Sequence, residues 1–319
     1  MTTTLAAPDL PMLLEEVEVV RVDRISPSFV RIELGSPALA EFGVDGPLHD
    51  QRFKLVFPHG DRPLPPLEAV DEGWMAAWFE RPAEERGHLR TYTVRDVLGS
   101  GADTRLVVDF VLHGVDGHGA AGPGSSWAAR AAVGDRIVTL APRRGMAFGG
   151  IEFVPGTAAR LLLVGDETAV PAVASILRGL PPNARGAAFL EVPVEADVQT
   201  LQHPQGVEVT WIAREDGVRG ERLHAAVLEH LGAPLRPIEV GDDEIDPDLW
   251  ETPSYSSSGE DVDEHVVHVG HDLDDLYAWI AGESKVVTAL RRALVRDLEV
   301  DRRQVAFMGY WRDGVAMRS

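Results

Sequence analysis

The chain has 319 residues, a formal net charge of −21 and no cysteine. Its length predicts about two domains, and the lack of cysteine excludes disulfides, thiolate metal sites, iron–sulfur clusters and a cysteine nucleophile. The negative charge argues against nucleic-acid binding, which needs a basic surface. No apolar run reaches transmembrane length and no signal-peptide pattern opens the chain, so we expect a cytoplasmic protein without membrane insertion.

The negative charge is concentrated in one stretch of the sequence. Residues 237–284 contain 15 acidic residues and no lysine or arginine, which leaves 36 acidic against 30 basic residues elsewhere. An anionic ligand can therefore still bind outside this stretch. The chain has only two lysines, Lys54 and Lys285. Because arginine supplies nearly all the positive charge and differs from lysine in geometry and hydration, each lysine is a candidate functional residue.

The first half of the chain predicts an antiparallel barrel. Alternating apolar and polar residues over 14–34 indicate two paired strands, and 59–87 reads as a long loop with a short helix. About six short strands separated by turns predict an antiparallel β-barrel over 14–150, after a disordered leader at 1–13. The other strands are predicted at 51–58, 88–96, 105–113 and 135–140.

Two of these strands contain candidate ligand-binding residues. Side chains alternate along a strand, so Arg90 and Tyr92 share one face and Thr93 lies on the other. A cation beside an aromatic ring can bind an anionic, planar ligand, although an ordinary barrel strand explains the same residues. Lys54 lies among apolar residues of its strand, where it either faces solvent at an edge or places a cation inside a pocket.

A glycine-rich segment, Gly114–Gly124, leads into Ser125, Ser126 and Trp127. We expect a loop here, with a short helix beginning at Ala128. Backbone N–H groups and hydroxyls at the start of a helix suit a phosphate group. Loops rich in glycine and serine are also common without any ligand.

The second half has a different pattern. Continuous apolar runs alternate with helical segments, which predicts a parallel, doubly wound sheet. Ligands of such sheets bind at the carboxyl ends of the strands, where Gly165–Thr168, Arg214 and Gly282–Lys285 are predicted to lie. Thr168 is the expected N-cap of the helix over 169–178. Strands are predicted at 160–164, 186–192, 207–213, 277–281 and 304–311, and further helices at 221–231 and from 282 to about 298.

The acidic segment at 232–264 is predicted to be a solvated loop. The acidic residues of 242–248 suggest a calcium loop, but Pro247 stands where such a loop needs glycine. His265, His268 and His271 are three residues apart in a valine-rich strand pattern, so successive histidines alternate faces and do not converge. We therefore expect no metal site.

Eight short motifs, in order, resemble the siderophore-interacting protein family, the FAD-containing ferric-siderophore reductases within the ferredoxin–NADP reductase superfamily. The resemblance implies an FAD-binding β-barrel domain over 14–150 and an NAD(P)H-binding α/β domain over 158–319. Together the motifs cover nearly the whole chain. They are Phe53–Pro58, Arg90–Arg95, His113–Gly114, Gly122–Ala128, Gly134–Asp135, Gly165–Ala172, Trp279–Glu283 and Gly309–Arg312.

The resemblance also implies roles for residues in the FAD site. Arg90 would hold the pyrophosphate, Tyr92 would stack on the isoalloxazine, and Thr93 would hydrogen-bond near flavin N5. Tyr92, Thr93 and Lys54 would lie closest to the reaction. Gly124, Ser125 and Ser126 would cradle the pyrophosphate, and the remaining FAD-site residues implied are His113 and Trp127.

A second group of roles concerns the electron donor and the iron substrate. Arg214 would bind the 2′-phosphate of NADPH, and Lys54 matches a lysine of the family's basic siderophore pocket, with Lys285 and one of Arg143 or Arg144 as weaker candidates. The Gly-x-Gly-x-x-Pro turn of the superfamily is absent, and Gly165-Asp-Glu-Thr replaces it. The residues expected to line the nicotinamide cleft are Gly165, Asp166, Glu167, Thr168, Ala281, Gly282 and Glu283.

The implied function is NADPH- or NADH-dependent reduction of a ferric siderophore through FAD, with release of Fe(II). Two alternatives remain open at this point. One is a general flavin reductase with another acceptor. The other is a ferric-siderophore-binding flavoprotein reduced by a ferredoxin-like partner, for which the acidic 237–284 stretch would offer a docking surface.

Overall fold

A computed structural model describes residues 12–60, 62–64, 74–113, 121–238, 240–241, 250–252, 255–256 and 273–315. The chain divides into two compact units, with the boundary between Ile151 and Glu152. The interpretations made for most of the leader, for the acidic residues of 242–248 and for the three histidines at 265–271 lie outside the described residues.

The first unit is built on one antiparallel sheet of seven strands in the order β4-β3-β7-β1-β2-β6-β5. The predicted strand at 88–96 is two strands, because at Val94 the backbone N–H bonds Gln51 on the β3 side, and at Arg95 it bonds Val107 on β6. The strands are β1 Met12–Arg24, β2 Phe29–Gly35, β3 Arg52–Phe57, β4 His88–Thr93, β5 Asp96–Leu98, β6 Arg105–Val111 and β7 Arg136–Pro142.

The two faces of this sheet bury two separate apolar clusters. The larger includes Ile32, Phe53, Leu55 and Phe110, all 0–1% exposed. Each such side chain stabilises the fold by roughly 1.5–3 kcal/mol through removal of its apolar surface from water. The smaller cluster covers the other face of β3 and β7 and includes Val56.

The described part of this unit has three short α-helices: α1 Trp74–Glu80, α2 Ala83–Arg86 and α3 Pro123–Ala128. The prediction of a loop up to Trp127 is wrong, because the glycine and serine residues lie within α3. Pro123 suits the first helical position, where its missing N–H has no cost. Trp127 fixes the helix to the core, with its ring 5.6 Å from Phe57 and 5.7 Å from Phe110.

The second unit contains a sheet in the order β10-β9-β8-β13-β14-β11-β12. The first five strands are parallel, as predicted. Strands β11 and β12 pair antiparallel at one edge and fall inside the segment predicted to be only a loop. The strands are β8 Arg160–Gly165, β9 Gly186–Val192, β10 Val207–Ala213, β11 Trp250–Thr252, β12 Tyr255–Ser256, β13 Leu276–Glu283 and β14 Val305–Trp311.

Helices cover this parallel sheet, and its central strands are buried on both faces. All eight residues of β13 are buried, which explains why every residue before the terminal Glu283 is uncharged. The helices are α4 Val170–Gly179, α5 Glu221–His230 and α6 Ser284–Arg291, which continues as a π-helical turn, Arg292–Asp297.

Among the residues that the structure describes, no helix is both long and apolar enough to cross a membrane. The same residues contain no group of histidine and carboxylate side chains that could hold a metal ion.

Candidate functional site

Strand β4 stands at one end of the strand order among the described residues and pairs there with β3. Arg90 pairs with Leu55 and Tyr92 pairs with Phe53 across β3, which places these side chains on the core face. Thr93 lies on the opposite face. The alternation predicted from the sequence is therefore present in the structure.

Tyr92 and Gly124 lie in direct contact. The Tyr92 ring is 4.6 Å from Phe110 and 5.7 Å from Phe57, measured between ring centroids. A Cβ atom at position 124 would collide with Tyr92 Oη, so only glycine allows this approach. Burial raises the pKa of Tyr92, which keeps the phenol neutral. The structure thus brings together the residue predicted to stack on a flavin and one predicted to hold its pyrophosphate.

Arg90 supplies positive charge on the same face of β4. Burial lowers the pKa of this half-buried guanidinium, which nevertheless stays protonated because arginine titrates far above neutral pH. Its Nη1 donates a hydrogen bond of 2.8 Å to the carbonyl of Leu89. A guanidinium that suits the pyrophosphate and an aromatic ring that suits the isoalloxazine thus lie on one face of β4, and this pair of groups fits FAD.

The two serines of α3 have different environments. Ser125 is buried, and its hydroxyl donates to the carbonyl of Val111 at 2.8 Å, which ties α3 to β6. The backbone N–H of His113 donates to the same hydroxyl at 3.4 Å. Ser126 is half-buried, with Oγ 3.5 Å from the carbonyl of Ala121. Ser126 is therefore better placed than Ser125 to offer its hydroxyl to a ligand.

Lys54 lies on the face of the sheet opposite Tyr92. Its Nζ donates to Thr91 Oγ1 at 3.0 Å, and Thr91 is its cross-strand partner. Burial lowers the pKa of Lys54, and the neighbouring Arg52 lowers it further. The structure therefore groups Lys54 with Thr91 and Thr93 and separates it from the face that carries Arg90 and Tyr92.

Of the paired candidates Arg143 and Arg144, the second has a clear structural role. Arg144 Nη2 donates to the carbonyls of Phe42 at 3.1 Å and Ala40 at 3.4 Å. Arg143 is half-buried. Burial raises the pKa of Glu15, and the charge of Arg143 opposes that shift.

In the second unit, Asp166 joins the ends of three strands. Its carboxylate accepts hydrogen bonds from Trp311 Nε1 at 2.8 Å, the Glu283 N–H at 2.8 Å and the Thr168 N–H at 2.9 Å. Burial raises the pKa of Asp166, and Glu167 adds to the shift. These bonds fix the carboxyl edge of the parallel sheet, where ligands of such folds bind.

The prediction that Thr168 caps α4 is wrong. The helix begins at Val170, and its cap residue, Ala169, makes no side-chain hydrogen bond. The Thr168 hydroxyl instead donates to Asp166 at 2.5 Å. Thr168 therefore lies one position before the cap residue, in the turn that its hydrogen bond to Asp166 holds.

Close packing at this edge depends on two glycines. Gly165 approaches Ala169, where a Cβ would collide. Gly282 has a φ of 146°, and a Cβ there would lie 2.7 Å from the Asp166 carboxyl carbon. Ala281, the preceding residue, is buried at the β8–β13 pairing.

Glu283 forms the N-cap of α6. Its Oε2 accepts the N–H groups of Lys285 at 2.8 Å and Val286 at 3.2 Å, and its Oε1 accepts that of Asp313 at 3.2 Å. Lys285 lies half-buried in the first turn of the helix. Both residues predicted for the ligand site are thus at the carboxyl edge of the sheet, but the Glu283 carboxylate already serves the helix.

Arg214 lies at the same edge and is paired with acidic residues. Its Nη1 is 3.0 Å from Glu191 Oε1 and 3.5 Å from Glu167 Oε2, and its side chain is 12% exposed. Burial alone would lower the pKa of Arg214, but the two carboxylates outweigh burial and raise it. The two carboxylates already neutralise part of the positive charge that Arg214 would offer to a bound phosphate.

Three residues of this edge were missed by sequence reasoning as site residues. Arg219 bonds Glu167 at 2.8 Å and lies over the ring of Trp311 at 4.5 Å. Glu191 binds the Gly220 N–H with both oxygens. An acidic residue at the end of the strand after the glycine turn is itself a signal of dinucleotide-binding sheets, and Trp311 lay inside a quoted motif.

The two units define a class of fold, that of ferredoxin reductases. The ferredoxin reductase of carbazole 1,9a-dioxygenase has this fold, with a TM-score of 0.55 and 17% identity over 95% of this chain and 69% of that chain. Within that class, the chain belongs to the siderophore-interacting protein family. Residues 18–146 match the siderophore-interacting FAD-binding domain, and residues 158–314 match the siderophore-interacting protein model.

Similarities to individual proteins are consistent with membership of this family. An uncharacterized protein of Mycobacterium tuberculosis is 37% identical over 68% of this chain and 72% of its own length. The NADPH-dependent ferric-chelate reductase of Escherichia coli is 29% identical over 93% and 92%, and the ferric vibriobactin reductase of Vibrio cholerae is 25% identical over 93% and 89%. The crystal structure of a siderophore utilization protein from T. fusca has a TM-score of 0.66 and 29% identity, covering 96% of this chain and 95% of that chain.

Proposed function

We propose that this chain is an FAD-containing oxidoreductase that reduces ferric siderophores and uses a pyridine nucleotide as electron donor. The observation that carries the proposal is the contact between Tyr92 and Gly124 beside Arg90, within the family's FAD-binding domain. Two relatives that cover more than nine-tenths of the chain are named as reductases of ferric chelates. We also propose that the protein acts in the cytoplasm, as expected from the sequence.

The residues of the chain would bind and orient the cofactor and attract the iron substrate. FAD, when bound, supplies the conversion from a two-electron donor to a one-electron acceptor. Arg90 would neutralise the pyrophosphate, while the neutral ring of Tyr92 would support the flavin without adding charge. Lys54 would attract an anionic chelate to an otherwise acidic protein. Oxygen ligands hold Fe(III) more tightly than Fe(II), so reduction would loosen the complex.

For the donor, we propose that the edge formed by Asp166, Trp311 and Arg214 binds the nucleotide. Only Nη1 of Arg214 is bound to carboxylates in the described structure, so its other N–H groups can meet a 2′-phosphate. Replacement of Arg214 by alanine should raise KM for NADPH more than for NADH. The control is Arg222→Ala, since Arg222 is an exposed arginine of the same region that donates to the carbonyl of Ala213. Equal increases for both nucleotides would contradict a 2′-phosphate role.

The function is tested with purified protein. We expect a yellow protein that releases FAD on denaturation and oxidises NADPH or NADH faster when a ferric chelate is added without oxygen. A colourless protein that cannot be loaded with FAD would contradict the proposal. Bound FAD without any oxidation of NADPH or NADH would indicate that the electron donor is a ferredoxin-like protein and not a nucleotide.

A further inference from the structure

A cleft in the second unit is bounded by α5, by the chain that follows α5, and by α6 with its π-helical continuation. Its volume is about 530 Å³, which is within the range of pockets that hold small molecules. The residues that line it belong to 224–240 and 289–298. This lining shares no residue with the edge of the sheet that we propose to bind the nucleotide, so the cleft is a separate candidate site.

One wall of the cleft is a single stripe along α6 and its continuation. The residues of the stripe are three or four positions apart, so they lie on one side of the helix. The π-helical turn, an irregularity often found at functional sites, falls within this wall. The two alanines of the stripe are 6% and 7% exposed and leave space that longer side chains would fill. The stripe consists of Ala289, Arg292, Ala293 and Arg296.

Helix α5 supplies a second wall, which is largely apolar. His224 and Leu228 are four residues apart and both line the cleft, with exposed fractions of 4% and 2%. Burial lowers the pKa of His224, so its ring is neutral at pH 7 and adds no charge. Val240 packs against Ala289 and adds another apolar side chain. The buried part of the lining is therefore uncharged.

The charged side chains of the lining are mostly positive. Three are arginines and one is a carboxylate, which gives a net charge of +2 in a chain whose total is −21. The carboxylate, Asp297, is bonded to Arg236 Nη1 at 3.2 Å. Arg236 and Arg296 are exposed, and Arg292 is half-buried. The positive charge therefore lies toward solvent and the apolar surface lies deeper in the cleft.

We propose that this cleft binds a small anionic molecule with an apolar body, such as a medium-chain carboxylate. The carboxylate would lie at the arginines, whose planar guanidinium groups match its geometry. The apolar body would lie against Leu228, Val240 and Ala293. A cationic amphiphile would be repelled by the same arginines. The inference goes beyond the proposed reductase function and does not depend on it.

The test is titration calorimetry of the purified protein with octanoate, butyrate and octyltrimethylammonium. Octanoate should bind roughly 10-fold or more tightly than butyrate, because its longer chain removes more CH₂ groups from water. Octyltrimethylammonium has the same chain with the opposite charge and should bind roughly 10-fold or more weakly than octanoate.

Three substitutions locate the bound octanoate. Arg292→Gln should weaken its binding roughly 3- to 10-fold through loss of a charged hydrogen-bond donor. Arg222→Gln is the matched control, because it removes the same charge from α5 outside the lining of the cleft, and it should leave binding unchanged. Ala293→Leu occupies space in the cleft and should weaken the binding of octanoate more than that of butyrate.

Equal affinities for octanoate and butyrate, or equal effects of Arg292→Gln and Arg222→Gln, would overturn the inference. Binding of octyltrimethylammonium as tight as that of octanoate would also overturn it, because the arginines would then contribute nothing. Circular dichroism verifies that each variant is folded. Where Ala293→Leu does not fold, the comparison of Arg292→Gln with Arg222→Gln decides the outcome.

Discussion

The side chain of Tyr92 fills the space that the missing side chain of Gly124 leaves open. Tyr92 Oη lies where a Cβ would be. Gly124→Ala should therefore lower the free energy of unfolding by about 1–3 kcal/mol, the usual cost of overpacking, and reduce the FAD bound per chain. Chemical denaturation and flavin absorbance measure the two effects.

Gly122 provides the matched control for this substitution. It lies two residues earlier with a φ of −67°, and a Cβ there would meet nothing within 4 Å. Gly122→Ala should retain both stability and FAD. Similar losses in the two variants would show that flexibility of the segment, rather than the contact with Tyr92, is what matters.

The charge of Lys54 should give the reaction a pH dependence. Burial and Arg52 lower the pKa of Lys54, so its charge is lost at a lower pH than that of an exposed lysine. Capture of anionic chelates should then weaken as pH rises toward that lowered pKa. Lys54→Ala should slow chelate reduction at neutral pH without loss of flavin.

Lys54→Arg is the control for the pH effect, because arginine stays protonated throughout. This variant should remove the decline in kcat/KM at high pH. A decline of the same size in Lys54→Arg would assign the titration to another group. The free energy of unfolding changes in the opposite direction. Burial of the charged lysine costs stability, and this cost is removed as pH rises from the lowered pKa of the folded protein toward that of the unfolded chain.

The residue-level predictions succeeded where a local rule decides the outcome. Strand alternation alone placed Arg90 with Tyr92 and apart from Thr93. The partners of Arg214 could not be predicted, because Glu167 follows β8 and Glu191 lies on β9, far apart in the sequence. Only the assembled sheet brings those carboxylates to one arginine.

Among the elements, helix α6 depends on one side chain for its N-terminus. Glu283 accepts two backbone N–H groups of the first turn. Glu283→Ala should lower the free energy of unfolding by about 1 kcal/mol, as for loss of other N-caps. Glu283→Gln keeps one acceptor oxygen and should lose less. Equal stability of Glu283→Ala and wild type, measured by denaturant unfolding, would show that water replaces the cap at no cost.

Element boundaries were predicted well where periodicity is strong and poorly where glycine or a turn intervenes. The continuous apolar run of β8 and the alternation of β1 and β2 were assigned correctly. Helix α3 was read as a loop because glycine and serine are weak helix formers, yet tertiary contacts of Trp127 stabilise it. The short strand β11 depends on pairing with β14, which no local pattern reveals.

At the scale of the whole molecule, the two units should respond to different ligands. FAD should slow hydrogen exchange in the first unit, at β4 and α3. Oxidised nicotinamide nucleotide should slow exchange in the second unit, at residues 165–168 and 281–283. Hydrogen-exchange mass spectrometry measures both. Protection by the nucleotide elsewhere in the second unit, with none at those residues, would contradict the placement of its site.

The central claim is that the reduced flavin of this protein delivers electrons to a ferric chelate. The most direct measurement mixes dithionite-reduced holoprotein, freed of excess reductant, with ferric tris(catecholate) in a stopped-flow instrument without oxygen. We predict recovery of the oxidised flavin absorbance together with trapped Fe(II), faster in wild type than in Lys54→Ala. A flavin that stays reduced in the presence of the chelate would contradict it.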